Sequence, residues 1–393
     1  MIEIAKNSVI GQQKVKQDLS KILESNRLGH AYLFAGPPGS GKKALALAFA
    51  EAVNGIQNLS ALGESAYSSK STWLNHPDIH FFIPIPKNVS HTELRERIIM
   101  LSEDPYAIVD FANRPGSSSE SDSKNKKAFY FIDYFRDDIR PSFFLRPNEG
   151  KRNIILLANI ETMQTPVSNA FLKVLEEPPE DVLIIMTTDQ MNTILPTVLS
   201  RCQILKCNGL SNDELAEGLI QKDGLTKDDA EYMARVSGGN YALARYFDIK
   251  QIKEVRSEIM TFLRMSYLQD ASEISALVNK WSSDYNIEGM ITLLNMFEVL
   301  LKDIMIFMHT GDETLLVNID QADTISRFVK SLKDAKIDEM LAQIEPARIY
   351  IRQNVQPKYI LTVLSIRLGY LMRGFNTIIP AGDKHQHLPA FEY

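Results

Sequence analysis

The sequence predicts an α/β domain with a mainly parallel sheet, followed by a small helical domain and a larger all-helical domain. Runs typical of buried strands, at residues 31–35, 79–85, 153–158 and 182–187, alternate with helical patterns as far as about residue 207. After residue 207 only helical patterns follow. Ligands of such sheets bind beyond the carboxyl ends of the strands, so functional residues are expected in the segments that follow the strands.

A glycine-rich loop follows the predicted strand at 31–35 directly. Residues 36–43 read Gly-Pro-Pro-Gly-Ser-Gly-Lys-Lys and satisfy the phosphate-binding pattern G-x-x-x-x-G-K-[ST] except at its last position. The residues expected to surround a nucleotide phosphate are Gly36, Gly39, Ser40, Gly41, Lys42 and Lys43. Glycines allow backbone N–H groups to point at phosphate oxygens, and Lys42 would reach the outer phosphates. A glycine-rich turn without a ligand is the alternative interpretation.

Lys43 stands where the pattern requires the hydroxyl that holds Mg²⁺. An ammonium group supplies no oxygen ligand and repels the metal ion. We therefore expect no ordinary nucleotide hydrolysis and no required cofactor. The sequence leaves open whether ATP or ADP still binds, because Lys42 and the glycines favour binding while Lys43 opposes a magnesium complex.

The composition is that of a globular protein of about two or three domains, with 393 residues, 45% of them hydrophobic and 23% charged. No run approaches the ~18 apolar residues of a membrane span, and no signal-peptide pattern is present, so a cytoplasmic location and no membrane partner are expected. The net charge of −6 disfavours a protein that binds nucleic acid unaided. Cys202 and Cys207, without nearby histidine, predict neither a disulfide framework nor a metal site.

The same patterns give the domain boundaries. Residues 1–207 are predicted to form the nucleotide-binding-like domain, 208–250 a helical lid, 251–377 a larger helical domain and 378–393 a tail. Within the first domain, residues 113–127 are rich in serine and nearly devoid of apolar side chains, which favours a mobile, solvated surface insertion over a functional basic-serine segment. Apolar stripes at helical spacing, interpreted as core, are Met290, Leu293, Leu294, Phe297, Leu300 and Leu301, and Ile360, Val363, Leu364, Leu368 and Leu371.

Five passages match a known family in order and approximate spacing. They lie at residues 8–12, 29–42, 76–78, 169–179 and 195–203, and the last two contain Leu-Glu-Glu-Pro-Pro and Ser-Arg-Cys. With these passages the chain resembles AAA+ clamp-loader subunits, and among them the delta-prime subunits of bacterial DNA polymerase III. The resemblance implies a P-loop NTPase fold, a three-helix lid and a helical collar used for oligomerisation.

The resemblance also implies a role for Arg201. In the family, the arginine of the Ser-Arg-Cys passage reaches the ATP of a neighbouring subunit, so Arg201 is the expected catalytic residue in trans. A guanidinium suits this role because it is always charged and offers forked donors to phosphoryl oxygens. The alternative is a surface arginine paired with a carboxylate. The implied partners are other clamp-loader subunits of gamma/tau and delta types in a hetero-oligomeric ring, and the sliding clamp and primer-template DNA through that assembly.

The end of the strand at 153–158 departs from the active members of the family. Those members carry Asp and Glu there, to support Mg²⁺ and to position water, whereas this chain has Ala158 and Asn159. Glu161 is acidic but is displaced by two residues. Thr187 or Thr188 is the expected polar sensor on the next strand.

Two further family features are missing from their expected positions. Tyr241 stands where the lid carries a sensor arginine, and Arg245 lies one helical turn later. The four-cysteine zinc module has no counterpart in residues 56–78, so no zinc is expected. Together these departures predict a catalytically inert clamp-loader subunit of the delta-prime type. The alternatives are an active or weakly active AAA+ ATPase of gamma type with an unusual metal arrangement, and a nucleotide-binding regulator outside replication.

Overall fold

The computed structural model describes residues 9–25, 27–56, 72–109, 111, 128–246, 249–318, 321–332 and 334–375. The serine-rich insertion at 113–127, the tail at 378–393 and most of the stretch compared with the zinc module lie outside the described residues. The chain divides into two compact units. The first takes in the described residues up to 230 together with residues 238–245, and the second takes in residues 231–237 and those from 246 onward. The proposed three-domain division remains a prediction.

The first unit contains a five-stranded parallel sheet in the order β2-β3-β4-β1-β5. Its strands are β1 (Ala31–Ala35), β2 (Ile79–Phe82), β3 (Asn153–Leu157), β4 (Val182–Thr188) and β5 (Gln203–Lys206). β1, β3 and β4 are buried along their whole length, which explains their uninterrupted apolar sequences. The predicted α/β fold is confirmed, although β2 ends at Phe82 instead of Ile85, which pairs with Phe129 in an isolated antiparallel bridge.

Helices before residue 247 are α1 (Gln13–Ser25), α2 (Lys42–Asn54), α3 (His91–Glu103), α4 (Ile132–Tyr134), α5 (Thr165–Glu176), α6 (Pro196–Leu199), α7 (Asn212–Asp223), α8 (Lys227–Val236) and α9 (Tyr241–Tyr246). The short α4 continues into a π-helical stretch at Phe135–Ile139 and a 3₁₀ stretch at Arg140–Phe144. Most positions of α2 are buried, because its small alanine side chains let it lie close to the neighbouring elements.

One face of the sheet is covered by a cluster of aromatic rings. Phe135, Phe143 and Phe171 lie with ring centroids 6.2 to 6.5 Å apart, and each is at most 1% exposed. Full burial of one such side chain contributes about 2 to 3 kcal/mol. This cluster therefore ties α5 and the segment after α4 to the sheet.

The second unit is helical in its described part. Its helices are α10 (Ile249–Leu268), α11 (Ala271–Asp284), α12 (Ile287–Thr310), α13 (Ala322–Ser331), α14 (Ile337–Ala342), α15 (Ile344–Arg352) and α16 (Pro357–Met372). Phe262, Trp281 and Phe297 meet in its core, with ring centroids 5.3 to 5.9 Å apart. The two predicted apolar stripes are buried, apart from the half-buried Val363. None of the described helices is long and apolar enough to cross a membrane.

Candidate functional site

The glycine-rich loop connects β1 to α2 at the carboxyl end of the sheet, as the sequence predicts. Gly39 and Gly41 adopt left-handed backbone conformations, with φ of 70° and 86°, which glycine adopts without strain. Gly36 lies so close to the neighbouring chain that a Cβ atom there would be 1.9 Å from the carbonyl oxygen of Cys207. Its N–H donates to the carbonyl oxygen of Thr188, which fixes the start of the loop to the end of β4.

Lys42 is held by the protein itself. Its Nζ donates to the carbonyl oxygen of Pro37 at 2.5 Å and to Oγ of Ser40 at 3.3 Å, and lies 2.8 Å from Oδ1 of Asp189. The side chain is 5% exposed. Three acceptors match the three N–H donors of an ammonium group. A phosphate that binds this loop must therefore displace at least one of these partners.

Lys43 follows in the first turn of α2 and is half-buried. Ser40, three residues earlier, is fully buried, and its carbonyl oxygen accepts a hydrogen bond from Nε2 of Gln12 at 3.0 Å. The loop thus has two consecutive lysines and no hydroxyl at the metal-ligand position. This arrangement attracts anions and offers Mg²⁺ no protein oxygen at that position.

Asn159, beyond the end of β3, lies among polar groups of the next strand. It has a left-handed conformation with φ of 53°, and its N–H donates to Oγ1 of Thr187 at 3.1 Å. Its Nδ2 lies 3.3 Å from Oε1 of Glu161 and 3.4 Å from Oδ2 of Asp189. The Asn159 amide therefore donates to two carboxylates. At the same position the active family members are expected to carry a carboxylate of their own.

Glu161 is closer to the loop than its sequence position indicates. Its Oε1 accepts the N–H of Asp189 at 3.2 Å, and the Asp189 carboxylate lies 2.8 Å from Lys42, so Glu161 is linked to the loop through Asp189. Burial and the nearby Asp189 carboxylate raise the pKa of Glu161 above its usual value. The sequence analysis missed Asp189, whose only local signal is its place directly after β4.

The two predicted sensor threonines end β4 and are almost fully buried. Oγ1 of Thr187 accepts the N–H of Asn159, and Oγ1 of Thr188 accepts the N–H of Gln190 at 3.1 Å. Both hydroxyls lie at the carboxyl edge of the sheet, on the strand next to β1. A sensing role for either threonine remains a prediction.

Asn240 lies directly against the apex of the loop. A Cβ atom at Gly39 would be 1.8 Å from Oδ1 of Asn240, and the same Oδ1 accepts the N–H of Leu243 at 3.0 Å as the cap of α9. Beside it, the rings of Tyr106 and Tyr241 meet edge to face with centroids 4.7 Å apart. These side chains cover the loop from the α9 side.

Arg245 is tied to two carboxylates. Its Nε donates to Asp223 at 2.8 Å and one terminal nitrogen donates to Asp104 at 2.7 Å, while Tyr241 donates to Asp223 at 2.6 Å. The guanidinium lies 5.4 Å from the ring centroid of Tyr241. A nucleotide phosphate would have to compete with two aspartates for this arginine, which supports the expectation that the lid supplies no sensor arginine.

Arg201 lies at the other edge of the sheet. It precedes β5, which runs parallel to β1 and pairs Gln203 with Tyr32, so Arg201 is near the amino end of the strand whose carboxyl end leads into the glycine-rich loop. A five-residue strand such as β1 is about 16 Å long. Arg201 therefore lies at the opposite end of β1 from the chain's own loop.

The Arg201 side chain is 34% exposed and has three partners, of which Oγ of Ser200, at 3.4 Å, is the most distant. One terminal nitrogen lies 2.9 Å from Oε1 of Glu176 and the other donates to the carbonyl oxygen of Thr197 at 2.9 Å. The ion pair that the alternative interpretation expects is thus present. The arginine also borders an open cavity of about 510 Å³, lined by Gly29, His30, Ala31, Leu175, Glu176, Ser200, Arg201, Cys202 and Gln203. A group from another molecule has room to approach it.

Cys202 and Cys207 are free thiols. Burial raises the pKa of both the Cys202 and Cys207 thiols to about 11, which disfavours thiolate ligands. Among the described residues, no group of three or more His, Cys, Asp and Glu side chains is arranged to hold a metal ion.

The chain is similar to known proteins over its first half and, for one relative, over most of its length. Residues 11–211 match the family described as DNA polymerase III, delta subunit. The chain is 21% identical over 349 residues to DNA polymerase III subunit delta' of Bacillus subtilis, covering 88% of this chain and 93% of that protein. It is 26% identical over 262 residues to the subunit delta' of Pseudomonas aeruginosa, covering 65% and 66%.

A third relative is DNA polymerase III subunit gamma/tau of Mycobacterium tuberculosis, 25% identical over 237 residues. The match covers 59% of this chain and 34% of that protein, so the chain spans about a third of the length of this relative.

Proposed function

The chain belongs to the DNA polymerase III delta subunit family, and from this premise we propose that it is a catalytically inert clamp-loader subunit of the delta-prime type. It supplies Arg201 in trans to the ATP of a neighbouring subunit while the sliding clamp is loaded onto primed DNA. The observation that carries this proposal is the separation of Arg201 from the chain's own glycine-rich loop, across the length of the sheet.

Inertness rests on the groups at the chain's own loop. Lys43 replaces the metal-binding hydroxyl, and Ala158 and Asn159 replace the two acids, so three positioning or electrostatic contributions to phosphoryl transfer are missing. The cation Lys42 is paired with Asp189. ATP or ADP, where it binds, is in this proposal a structural ligand, and no cofactor or zinc is required.

The partners in this proposal are gamma/tau-type and delta-type subunits, with which the chain forms a hetero-oligomeric ring in the cytoplasm. Similarity to proteins named as DNA polymerase III subunits delta' and gamma/tau supports a place in one assembly. The ring brings the chain to the sliding clamp and to primer-template DNA. Because the chain carries a net charge of −6, we assign the main DNA contact to the assembly.

Substitution of Arg201 tests the proposal. In rings reconstituted with wild-type partners, Arg201→Ala should lower clamp- and DNA-stimulated ATP turnover by about 100-fold or more, since a trans arginine stabilises the transferring phosphoryl group. Arg201→Lys should restore little of this loss, because an ammonium group lacks the planar fork. Assembly, followed by size-exclusion chromatography, should not change.

Arg152 provides a matched control. Its side chain is 31% exposed and lies 3.2 Å from Asp181, so it resembles Arg201 in exposure and ion pairing. Arg152→Ala should leave ATP turnover of the ring unchanged. Equal rates for the wild-type and Arg201→Ala rings would refute the trans role and leave Arg201 as a surface partner of Glu176.

A weakly active ATPase of gamma type is the second candidate, favoured by the carboxylate of Asp189 beside Lys42 and by that of Glu161, which accepts the N–H of Asp189. Carboxylate oxygens are ligands that Mg²⁺ accepts. In that case the isolated chain hydrolyses ATP with Mg²⁺, and Glu161→Gln lowers the rate. Absence of turnover by the wild-type chain removes this candidate.

A further inference from the structure

The carboxylate of Glu176 is the only charged group that pairs with Arg201 in the described part of the chain. Its Oε1 lies 2.9 Å from one terminal nitrogen of the guanidinium. The Arg201 side chain is 34% exposed and that of Glu176 is 50% exposed, and ion pairs as accessible as this one contribute little to stability. The main effect of the pair is therefore on the position of the guanidinium.

Glu176 is the last residue of α5, where the helix itself disfavours a carboxylate. The carbonyl groups that end a helix carry partial negative charge, so a cation is stabilised there and an anion is not. Glu177 follows directly and adds a second carboxylate at the same helix end. The end of α5 and the Glu176 side chain thus both attract the guanidinium of Arg201.

The hydrophobic core fixes the backbone that carries the partners of Arg201. Leu175, which precedes Glu176, is 2% exposed, and Val198, which follows Thr197, is 4% exposed. Both belong to the same core cluster as residues of β1, β3 and β4. Because core side chains are closely packed, the groups that accept hydrogen bonds from Arg201 stand on backbone that moves little.

The second terminal nitrogen of Arg201 is held by α6 and the residue after it. It donates to the carbonyl oxygen of Thr197 at 2.9 Å and lies 3.4 Å from Oγ of Ser200. The Ser200 hydroxyl donates to the same carbonyl oxygen at 3.1 Å. A guanidinium is planar, so contacts at both terminal nitrogens fix its orientation as well as its position.

The remaining donors of Arg201 are available to another molecule. A guanidinium has five N–H donors, and the described residues accept from three of them. The cavity beside Arg201 is open and is also lined by Glu176 and Ser200. A phosphoryl group that enters this cavity meets an arginine whose side chain has already lost its conformational freedom. Such a preorganised donor stabilises a transition state without reorganisation at the moment of reaction.

We propose that Glu176 is a positioning residue that orients Arg201 toward the phosphoryl group of ATP bound by a neighbouring subunit. This inference rests on the proposed function, because it assigns Glu176 a task in the same site. Glu176 acts only through Arg201 and contacts neither the nucleotide nor a metal ion. Without its carboxylate the arginine is still present but rotates more freely, so stabilisation of the transition state falls while ATP binds the neighbour's own loop as before.

ATP turnover by rings reconstituted with wild-type partners tests this proposal, with kcat and KM measured separately in the presence of clamp and primed DNA. Glu176→Ala should lower kcat about tenfold and leave the KM for ATP unchanged, because a misplaced catalytic group loses part of its effect. Glu176→Gln should restore most of the rate, since its amide oxygen accepts the same N–H. Glu176→Ala combined with Arg201→Ala should be no slower than Arg201→Ala alone.

Glu177→Ala is the matched control, because Glu177 is the adjacent exposed carboxylate and is not a partner of Arg201. Its ring should turn over ATP at the wild-type rate. Size-exclusion chromatography and circular dichroism should show that every variant folds and assembles.

The outcomes separate this proposal from the proposed function. If Arg201→Ala lowers turnover and Glu176→Ala does not, the positioning role is overturned and the proposed function stands. A faster Glu176→Ala ring also overturns the positioning role, because the carboxylate would then restrain the arginine. A further loss in the double variant overturns it as well, since Glu176 would then act independently of Arg201. Equal rates for the wild-type and Arg201→Ala rings overturn both proposals.

Discussion

The ammonium group of Lys42 lies 2.8 Å from Oδ1 of Asp189, in a pair whose side chains are only 5% and 19% exposed. Lys42 is the residue that would contact the outer phosphates of a nucleotide. A bound phosphate would therefore compete with the Asp189 carboxylate for the ammonium group of Lys42. We therefore predict that Asp189 weakens any binding of nucleotide to this loop.

Asp189→Asn should raise the affinity of the chain for ATP and ADP by about tenfold, because it removes the charge that competes with phosphate while keeping a side chain of the same shape. Titration of a fluorescent ADP analogue in the presence of EDTA measures this without Mg²⁺. Lys42→Ala is the control and should weaken binding in both backgrounds. Equal affinity of wild-type and Asp189→Asn chains would show that the ion pair does not limit nucleotide binding.

The isolated chain should show no magnesium-dependent ATP turnover above background. The chain lacks the metal-binding hydroxyl at Lys43 and the two carboxylates at Ala158 and Asn159 that would support Mg²⁺ and position water. Each missing group removes a separate contribution to the rate. Single-turnover assays with labelled ATP provide the measurement. If the wild-type chain hydrolyses ATP and the Lys42→Ala variant does not, the activity comes from the chain's own loop and not from a contaminant. That result would contradict this prediction.

Assembly should depend on the exposed side of α16. Tyr359, Ile366 and Tyr370 follow one another at helical spacing and are 55%, 53% and 37% exposed, so they form an apolar stripe on the second unit. Ile366→Asp should weaken incorporation into the ring at least tenfold, measured by sedimentation velocity. Leu315→Asp alters a side chain that is 52% exposed on the same unit and serves as the control. Equal incorporation of both variants and the wild type would remove the stripe from the interface.

Asp78 should make the stability of the first unit sensitive to acid. Burial acts to raise the pKa of Asp78, but the N–H groups of Gly150, Asn148 and Glu149 lower it more, so the folded pKa lies below its usual value. The stabilisation is present above the unfolded pKa of about 3.9 and is lost as the pH falls through the folded pKa.

Asp78→Ala should therefore destabilise the first unit by about 2 to 4 kcal/mol at pH 7, since it removes the buried carboxylate that accepts three backbone N–H groups. The difference from wild type should shrink as the pH falls from 4 toward 2. Urea unfolding at several pH values measures both effects. Asp181→Ala removes an aspartate whose side chain is 62% exposed, and should change the stability little. A difference between Asp78→Ala and wild type that stays constant with pH would argue against the carboxylate's role.

The sequence identified the three strands that are buried on both faces, and also β2, which is alternately buried and half-buried. β1, β3 and β4 read as apolar runs because no position along them meets water. β5 is largely exposed and has only two apolar residues, so its sequence carries no such signal, and pairing with β1 makes it a strand. The segment from Ile132 to Phe144 changes from α to π to 3₁₀ geometry and so lacks one constant helical period.

The sequence by itself determined which atoms are available at the loop. The glycines, Lys42 and Lys43 all lie within residues 36–43. Whether a position carries a hydroxyl or a carboxylate depends on the residue type alone, and folding cannot change it. Only the tertiary structure decided which distant groups meet those atoms. Asp189 reaches Lys42, and Asn240 reaches Gly39, because parallel strands end at one edge and the chain returns over it. Such contacts join residues remote in sequence, and local periodicity carries no information about them.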